Sequence, residues 1–485
     1  MDFTEENIRL IFGHEAAEDE GIERLKTYYV KGDTFEKMSS ELPLYILVGH
    51  KGTGKSALLS VLKYEEETKG NIVISIQPDD ILDIDKEEDD FLRLIRNWEE
   101  GLSTIIFQKL IECIAYDGKS KDKKKSKLFN LIKNITGHAI SDYRRNKLQV
   151  SQKEFAAVVK NNFFEKKSLV VCIDDLDRGW KNTPKDVASI SALLNAVRDL
   201  SREVENIKFR IALRSDVYYS VRTSDESTDK IEGSVIWNKW SNHEILVMLI
   251  KRIEIFLGHP VDDEKLLATS QSELSNYLNC VFEERFKGKG HWENAPIYRV
   301  LMSLTRKRPR DLVKLCTMSA RNAKRNNKQK ISTKELEEAF NEYSQGRLQD
   351  TINEYSSEFH SIEDFLLKMK PTVKEMQSQR PCLYSRDELL VKIKNILQMS
   401  HYSFSDGKQL VDAISLAAFL YKINFLTARK DYQDHKQRLY YDENKYLLNE
   451  FTDFGYMYEI HPAYRWALQP TDIMDLYYQI DLSDE

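Results

Sequence analysis

The octapeptide Gly49-His50-Lys51-Gly52-Thr53-Gly54-Lys55-Ser56 matches G-x-x-x-x-G-K-[ST] in full. These residue types at this spacing serve one kind of chemistry. The glycines let the backbone turn tightly enough for successive N–H groups to point inward at a phosphate. A helix opening at Lys55, with Ala57 in its first turn, adds free N–H groups and its positive dipole end. The Lys55 ammonium suits β- and γ-phosphates, and the Ser56 hydroxyl suits Mg²⁺. A second candidate set is Asp174-Asp175, which closes the apolar run Leu169-Val170-Val171-Cys172-Ile173. Acids at the C-terminal end of a buried parallel strand lie where open α/β sheets bind ligands. The first suits the Mg²⁺ shell and the second the orientation of a water. Arg214, ending the apolar run from Ile207, is a third polar group at such an edge, costly unless paired with a carboxylate or a phosphate.

These groups need a scaffold, and the pattern supplies one. Leu44–Val48 reads as the strand before the loop and Lys55–Tyr64 as the helix after it. Asn71–Ile76, Ser168–Ile173 and Ile207–Leu213 read as further strands, with helical spacing over Phe91–Ala115 and Val187–Val204 between them. The expectation is an α/β fold over residues 1–240, a P-loop NTPase core with a parallel sheet and helices on both faces. From Ser241 the alternation stops. Helices alone are expected over Glu244–Phe256, Glu264–Phe286, Ile297–Thr305, Pro309–Asn326 and Ser332–Leu348, forming an all-helical lid over 241–350. In 351–485, helices at Asp387–Leu397 and Lys408–Phe425 precede short strands at Tyr446–Asn449 and Met457–Ile460. That order suggests a winged-helix-like C-terminal domain, with its many aromatic residues read as core.

Other stretches carry two readings each. Phe12-Gly13 is either an ordinary turn or a flat surface against a nucleotide base. The basic run Gly118–Lys127, extended by Arg144, Arg145 and Lys147, is a solvated loop or a patch for nucleic acid or an acidic partner. Arg306-Lys307-Arg308-Pro309-Arg310 sits at a helix N-terminus, the unfavourable end for cations. An anion is therefore expected beside it, either Asp311 or a bound phosphate.

Bulk properties bound the answer. A chain of 485 residues, 41% hydrophobic and 31% charged, is globular and too long for one core. A net charge of −6 argues against wholesale electrostatic binding to nucleic acid. The five cysteines are scattered without a C-x-x-C pair, which suits neither a zinc site nor a disulfide framework and implies a reducing compartment. The N-terminus lacks a signal pattern, and no apolar run is long enough to span a bilayer. A cytoplasmic protein without a membrane partner is expected.

The set GHKGTGKS, VVCIDDLDRGW, FRIALRSDVYYSVR and RKRPRDLVKL resembles AAA+-related P-loop ATPases of the KAP and STAND type. It looks closest to a bacterial family with Asp-Asp-Leu-Asp-Arg-Gly-Trp after the second motif and a Phe-Gly…Ala-Glu lead, here Phe12-Gly13 and Ala17-Glu18. The resemblance covers most of 10–350. It implies ATP and Mg²⁺ as cofactors, with Lys55 on phosphate, Ser56 and Asp174 on the metal, and Asp175 orienting water. It implies Arg214 as a sensor, Arg310 as the lid residue reaching the γ-phosphate, and Phe12-Gly13 as the base-side contact. It further implies a switch in bacterial anti-phage defence, assembling as a homo-oligomer or with an effector protein. Asp-Asp where many relatives have Asp-Glu implies slow hydrolysis. An arginine acting on a neighbouring subunit is expected at Arg222, which has no acidic neighbour before Asp225, whereas Arg178 has Asp177 and Asp175 to pair with. The alternatives to a slow ATPase switch are two. One is a motor or loader stimulated by nucleic acid through Lys119–Lys147 or the C-terminal domain. The other is a nucleotide-binding scaffold.

Overall fold

The run Leu44–Gly49 is buried at every position, as a strand with parallel neighbours and both faces covered must be. It is β1 of a five-stranded sheet completed by β2 (Ile72–Ile76), β3 (Leu169–Ile173), β4 (Ile207–Arg214) and β5 (Val235–Trp237), in the order β2-β3-β4-β1-β5. Every pairing is parallel. The computed structural model describes residues 1–15, 19–116, 152–160, 168–224, 226–378, 380–405, 411–432, 436–445, 447–448, 453–471 and 473–483. The basic segment Lys119–Lys147, Ala17-Glu18, Asp225 and Tyr446 lie outside the described residues.

The chain divides into two compact units, one of Met1–Val30, Gly52–Gly54 and Lys239–Glu485, the other of Lys31–Lys51 and Lys55–Asn238. The sheet belongs to the second. Alternate residues of its strands (Ile46, Ile74, Val171, Phe209) join one core with helices Phe91–Tyr116 and Pro184–Glu203. The opposite face, with Cys172 and Arg210, is covered by the loop helix Lys55–Thr68, whose Lys63 and Glu66 reach the field of Cys172. The expected helices on both faces are thus present. Pro184–Glu203 starts sharply because Thr183 and Asp186 form a reciprocal cap with Pro184 at the first position. β5 was not expected, since three residues are too few for a periodic signal.

β4 carries a buried cation. The Arg210 guanidinium donates to the carbonyls of Met38 (2.6 Å), Ser40 (2.6 Å), Leu42 (3.0 Å) and Phe209 (2.9 Å). It thereby fixes the chain just before β1, and burial draws its pKa down to about 10.

In the first unit, Ile8, Ile11 and Phe12 join a core with Asn242–Phe256, Ile297–Leu304, Pro309–Arg325 and Thr333–Tyr355. The cap of Ser332 with Glu335 is present. The single helix expected over Glu264–Phe286 is not. Helices Asp263–Ala268 and Gln271–Leu274 are each started afresh by an N-cap, Asp262 and Ser270. Arg285–Lys287 (β6) then pairs with Glu293–Pro296 (β7), so the region is not all-helical. A second core, from Leu348 to Leu468, holds helices Arg386–Met399 and Ala413–Lys422. With them stands an antiparallel sheet in the order β10-β9-β11-β8, formed by Leu383–Tyr384 (β8), Leu426–Asp431 (β9), Lys436–Leu439 (β10) and Met457–Ile460 (β11). The helix expected to Phe425 ends at Lys422 because Asn424 turns to φ +57°. Leu448 makes only an isolated bridge to Asp453. Tyr440, Tyr458, Tyr464 and Trp466 are buried. No helix among the described residues is long and apolar enough to cross a membrane.

Candidate phosphate and metal site

Strand register brings the candidate residues of the second unit to one edge. Gly49 ends β1 opposite Arg214, and Ile173 ends β3 one strand away across β4. Lys55 Nζ donates to the carbonyls of Gly49 (2.9 Å) and His50 (3.1 Å), so the ammonium lies in the mouth of its own loop. His50 is buried with Nδ1 3.0 Å from Ser215 Oγ, tying the loop's start to the end of β4.

Asp174 leaves β3 beside this loop. Burial pushes its carboxyl up to about 6, while the donating Ser56 hydroxyl, the Asp175 N–H and the Lys55 charge act in the opposite direction. The Asp175 N–H reaches Asp174 Oδ1 at 2.9 Å. Asp175 itself is exposed and turns to φ +58°, which directs it away from the strand line. A half-buried carboxylate and a hydroxyl are hard oxygen donors, the type that suits Mg²⁺, so these residues fit that ion.

Arg214 is satisfied by carboxylates, at 3.0 and 2.6 Å from Asp216 and 3.3 Å from Asp177. It therefore joins the loop after β3 to the end of β4. Arg222 is not without acidic neighbours. It pairs with Asp229 at 2.6 Å and Glu232 at 3.3 Å, both supplied by the following 3₁₀ segment. Arg178 is exposed, and Asp177 pairs with Arg214 instead of with it.

In the first unit, the loop tip Gly52–Gly54 meets two residues. Trp240 Nε1 donates to the Thr53 carbonyl at 2.8 Å. Arg310 N–H lies 3.4 Å from the Gly52 carbonyl and its Nε donates to the Glu15 carbonyl at 3.0 Å. Trp240 was not singled out in the sequence, and its spacing from the loop carries no signal. Phe12 is fully buried, its ring tilted 6.4 Å from Phe282. Its carbonyl accepts from Arg252. Its ring is a core group and offers no flat face to a base. At Gly13, φ is +79° and an added Cβ would meet Arg252 at 2.8 Å, so the glycine serves that packing. The anion beside the basic tract is Asp311. Arg306 and Arg347 each approach it at 2.7 Å, and Arg308 pairs with Glu354 at 3.0 Å, all buried.

Comparison with known proteins adds context. Residues 245–352 match the FunZ-associated C-terminal helical domain. The chain is 22% identical over 456 residues to the putative transposon gamma-delta 80.3 kDa protein of Escherichia coli (strain K12), covering 86% of this chain and 61% of that one. It thus spans less than two thirds of that relative's length. Among solved structures it is similar to Aeropyrum pernix ORC2 in its ADPNP–ADP complexes, at 12% identity and a TM-score of 0.43, covering 94% of this chain and 91% of that one. It is similar also to Drosophila ORC bound to DNA, at 10% identity and a TM-score of 0.31, covering 95% of this chain and 92% of that one.

Proposed function

We propose that the chain is a cytoplasmic, AAA+-related P-loop ATPase that binds Mg·ATP and hydrolyses it slowly, acting as a nucleotide-dependent switch or assembly module. The observation that carries this reading is the Ser56 hydroxyl donating to the half-buried Asp174 carboxylate in the field of Lys55. It joins the two sequence motifs at one sheet edge. In this reading the loop N–H groups cradle phosphate, Lys55 pairs with its β- and γ-oxygens, and Ser56 and Asp174 hold the metal. Mg²⁺, when bound, neutralises phosphate charge. Asp175, exposed beside Asp174, orients the attacking water and accepts its proton. Aspartate is one methylene shorter than glutamate, which supports slow turnover. Arg214 senses the phosphate through its carboxylate pairs, and Arg310 reaches the loop from the lid.

A homo-oligomer or an effector protein is the proposed partner. Exposed Arg178 is a better trans arginine than Arg222, whose charge is already paired. The KAP/STAND subtype and a role in anti-phage defence rest on the motif resemblance. The second reading, a motor or loader stimulated by nucleic acid, is supported by the 22% identity to a transposon protein.

Calorimetry with ATP and turnover assays, each with and without DNA or RNA, test these readings. Lys55→Ala is expected to weaken ATP binding roughly 10- to 100-fold, the worth of a charge-assisted contact. Equal binding by the variant would sink the site assignment. Turnover that rises strongly with DNA or RNA would favour the motor or loader.

A further inference from the structure

The tip of the phosphate loop, Gly52–Gly54, groups with residues 239–485, and two short pieces of that unit hold it. Trp240 donates to Thr53, as described. Arg310 packs on Gly52, where φ is +83° and an added Cβ would meet the Arg310 Cβ at 3.1 Å. Near neighbours of these two residues both reach one turn, Tyr440–Asn444. Lys239 Nζ donates to the Asp442 carbonyl. Lys307 Nζ donates to Glu443 Oε1 at 2.8 Å and lies 4.8 Å from the centre of the Tyr440 ring.

The turn is a firm anchor. Glu443 Oε2 accepts the Tyr440 N–H at 2.8 Å, and the Tyr421 hydroxyl donates to the Asn444 carbonyl at 2.9 Å. The Tyr440 hydroxyl is 2.9 Å from Nε2 of buried His461. Lys307 is also held at φ +52°, a conformation costly for a lysine unless its surroundings impose it. Arg306 and Arg308 on either side supply that constraint through Asp311 and Glu354.

We propose that Lys239 and Lys307 are positioning residues for the phosphate loop. Anchored on the Tyr440–Asn444 turn, they hold Trp240 against Thr53 and Arg310 against Gly52, so that nucleotide binding and the state of the turn are linked. Neither lysine touches phosphate. The inference rests on the loop being a nucleotide site, and linkage makes it reciprocal: what the turn does for ATP, ATP does for the turn.

The test uses the full chain and four variants, Lys239→Ala, Lys307→Ala, the double variant and Lys307→Arg, with Lys55→Ala as the control for the loop. ATP affinity is measured by calorimetry well below the melting temperature. Hydrogen exchange of residues 440–444 is followed with and without ATP. Each alanine variant is expected to raise the Kd about two- to fivefold, the range for a partly exposed charged contact. Lys307→Arg should stay near the wild-type value. ATP should slow exchange in the turn of the wild type, and this ATP-dependent difference should vanish in the double variant while its melting temperature is kept. A merely structural role would change exchange equally with and without ATP. A double variant with the wild-type Kd, or with the ATP-dependent difference intact, would overturn the proposal. Lys55→Ala binding ATP like the wild type would overturn the loop reading itself, and the proposal with it.

Discussion

Asp311 is buried and Asp174 half-buried, and their surroundings drive them in opposite directions. Asp311 sits between two guanidiniums, Arg306 and Arg347, which hold its carboxyl far below the usual range although burial alone would raise it. Its oxygens are spent on those partners, and Arg306 passes the network on to Thr351 and Tyr464 at 2.9 Å each. Asp174 faces a hydroxyl, an N–H and the more distant charge of Lys55, and burial pushes it up to about 6. A closed charge network stabilises a fold. A half-buried acid that faces a hydroxyl and an N–H, with no guanidinium among them, is the kind that suits a cation. The difference separates a carboxylate tied into a charge network from one proposed for a metal more sharply than sequence position does, since both lie near a helix or strand end.

Substitutions can break that contrast. Asp175→Asn, beside Asp174, should leave ATP binding and melting unchanged and lower turnover about 10²- to 10⁴-fold, the usual worth of a positioned proton acceptor. Single-turnover kinetics would check it, and native turnover would move the acid role elsewhere. Asp311→Asn should act the other way, costing about 3–5 kcal/mol of stability by leaving buried cations uncompensated. Urea unfolding measures this. The same group gives a pH signature. Unfolded aspartate titrates near about 3.9, while the folded carboxyl stays ionised far below that, so the unfolded state binds more protons in acid. The gap in stability between wild type and Asp311→Asn should be full above about pH 5 and shrink as the pH falls through that value.

The smallest effect sharpens the comparison. Glu99 also has a raised carboxyl, at about 7, from burial first and then from Asp199, Glu203 and Glu100. Here like charges crowd the group, and the opposing charge of Arg96 offsets them only in part. The folded state holds the proton up to about pH 7 whereas the unfolded chain loses it near about 4.3, so stability falls as the pH rises between them. Glu99→Gln should therefore stabilise much more at pH 8 than at pH 4. Equal effects at pH 4 and pH 8 would mean that Glu99 is unperturbed.

The strongest signals were legible where local chemistry and packing demand the same residues. β1, its loop and the run into Asp174 follow from apolar continuity and glycine placement alone. Pairing was not legible. Nothing in the chain order near Arg222 announces Glu232, and Asp311 competes with a hypothetical phosphate until the fold brings Arg347 to it. Phe12-Gly13 carried two readings because an exposed turn and a core-facing helix end have the same composition. β5 was lost to brevity, and β9, with Thr427, Arg429, Lys430 and Asp431 among its six residues, offers no apolar run to read. Trp240 and Arg210 act through backbone carbonyls, which no side-chain motif encodes.

The pairing of β1 with β4 has a consequence for biosynthesis. Leu44 lies beside Phe209, and the carbonyls of Met38 and Ser40 wait for Arg210. At ribosomal speeds of about 5–20 residues per second, the interval between these segments lasts on the order of ten seconds or more. During that time the emerging chain displays an unpaired apolar strand with no neighbour on the side that β4 will take. That surface stays open to aggregation until residue 214 has cleared the exit tunnel, and slowing translation between the two strands should increase the losses.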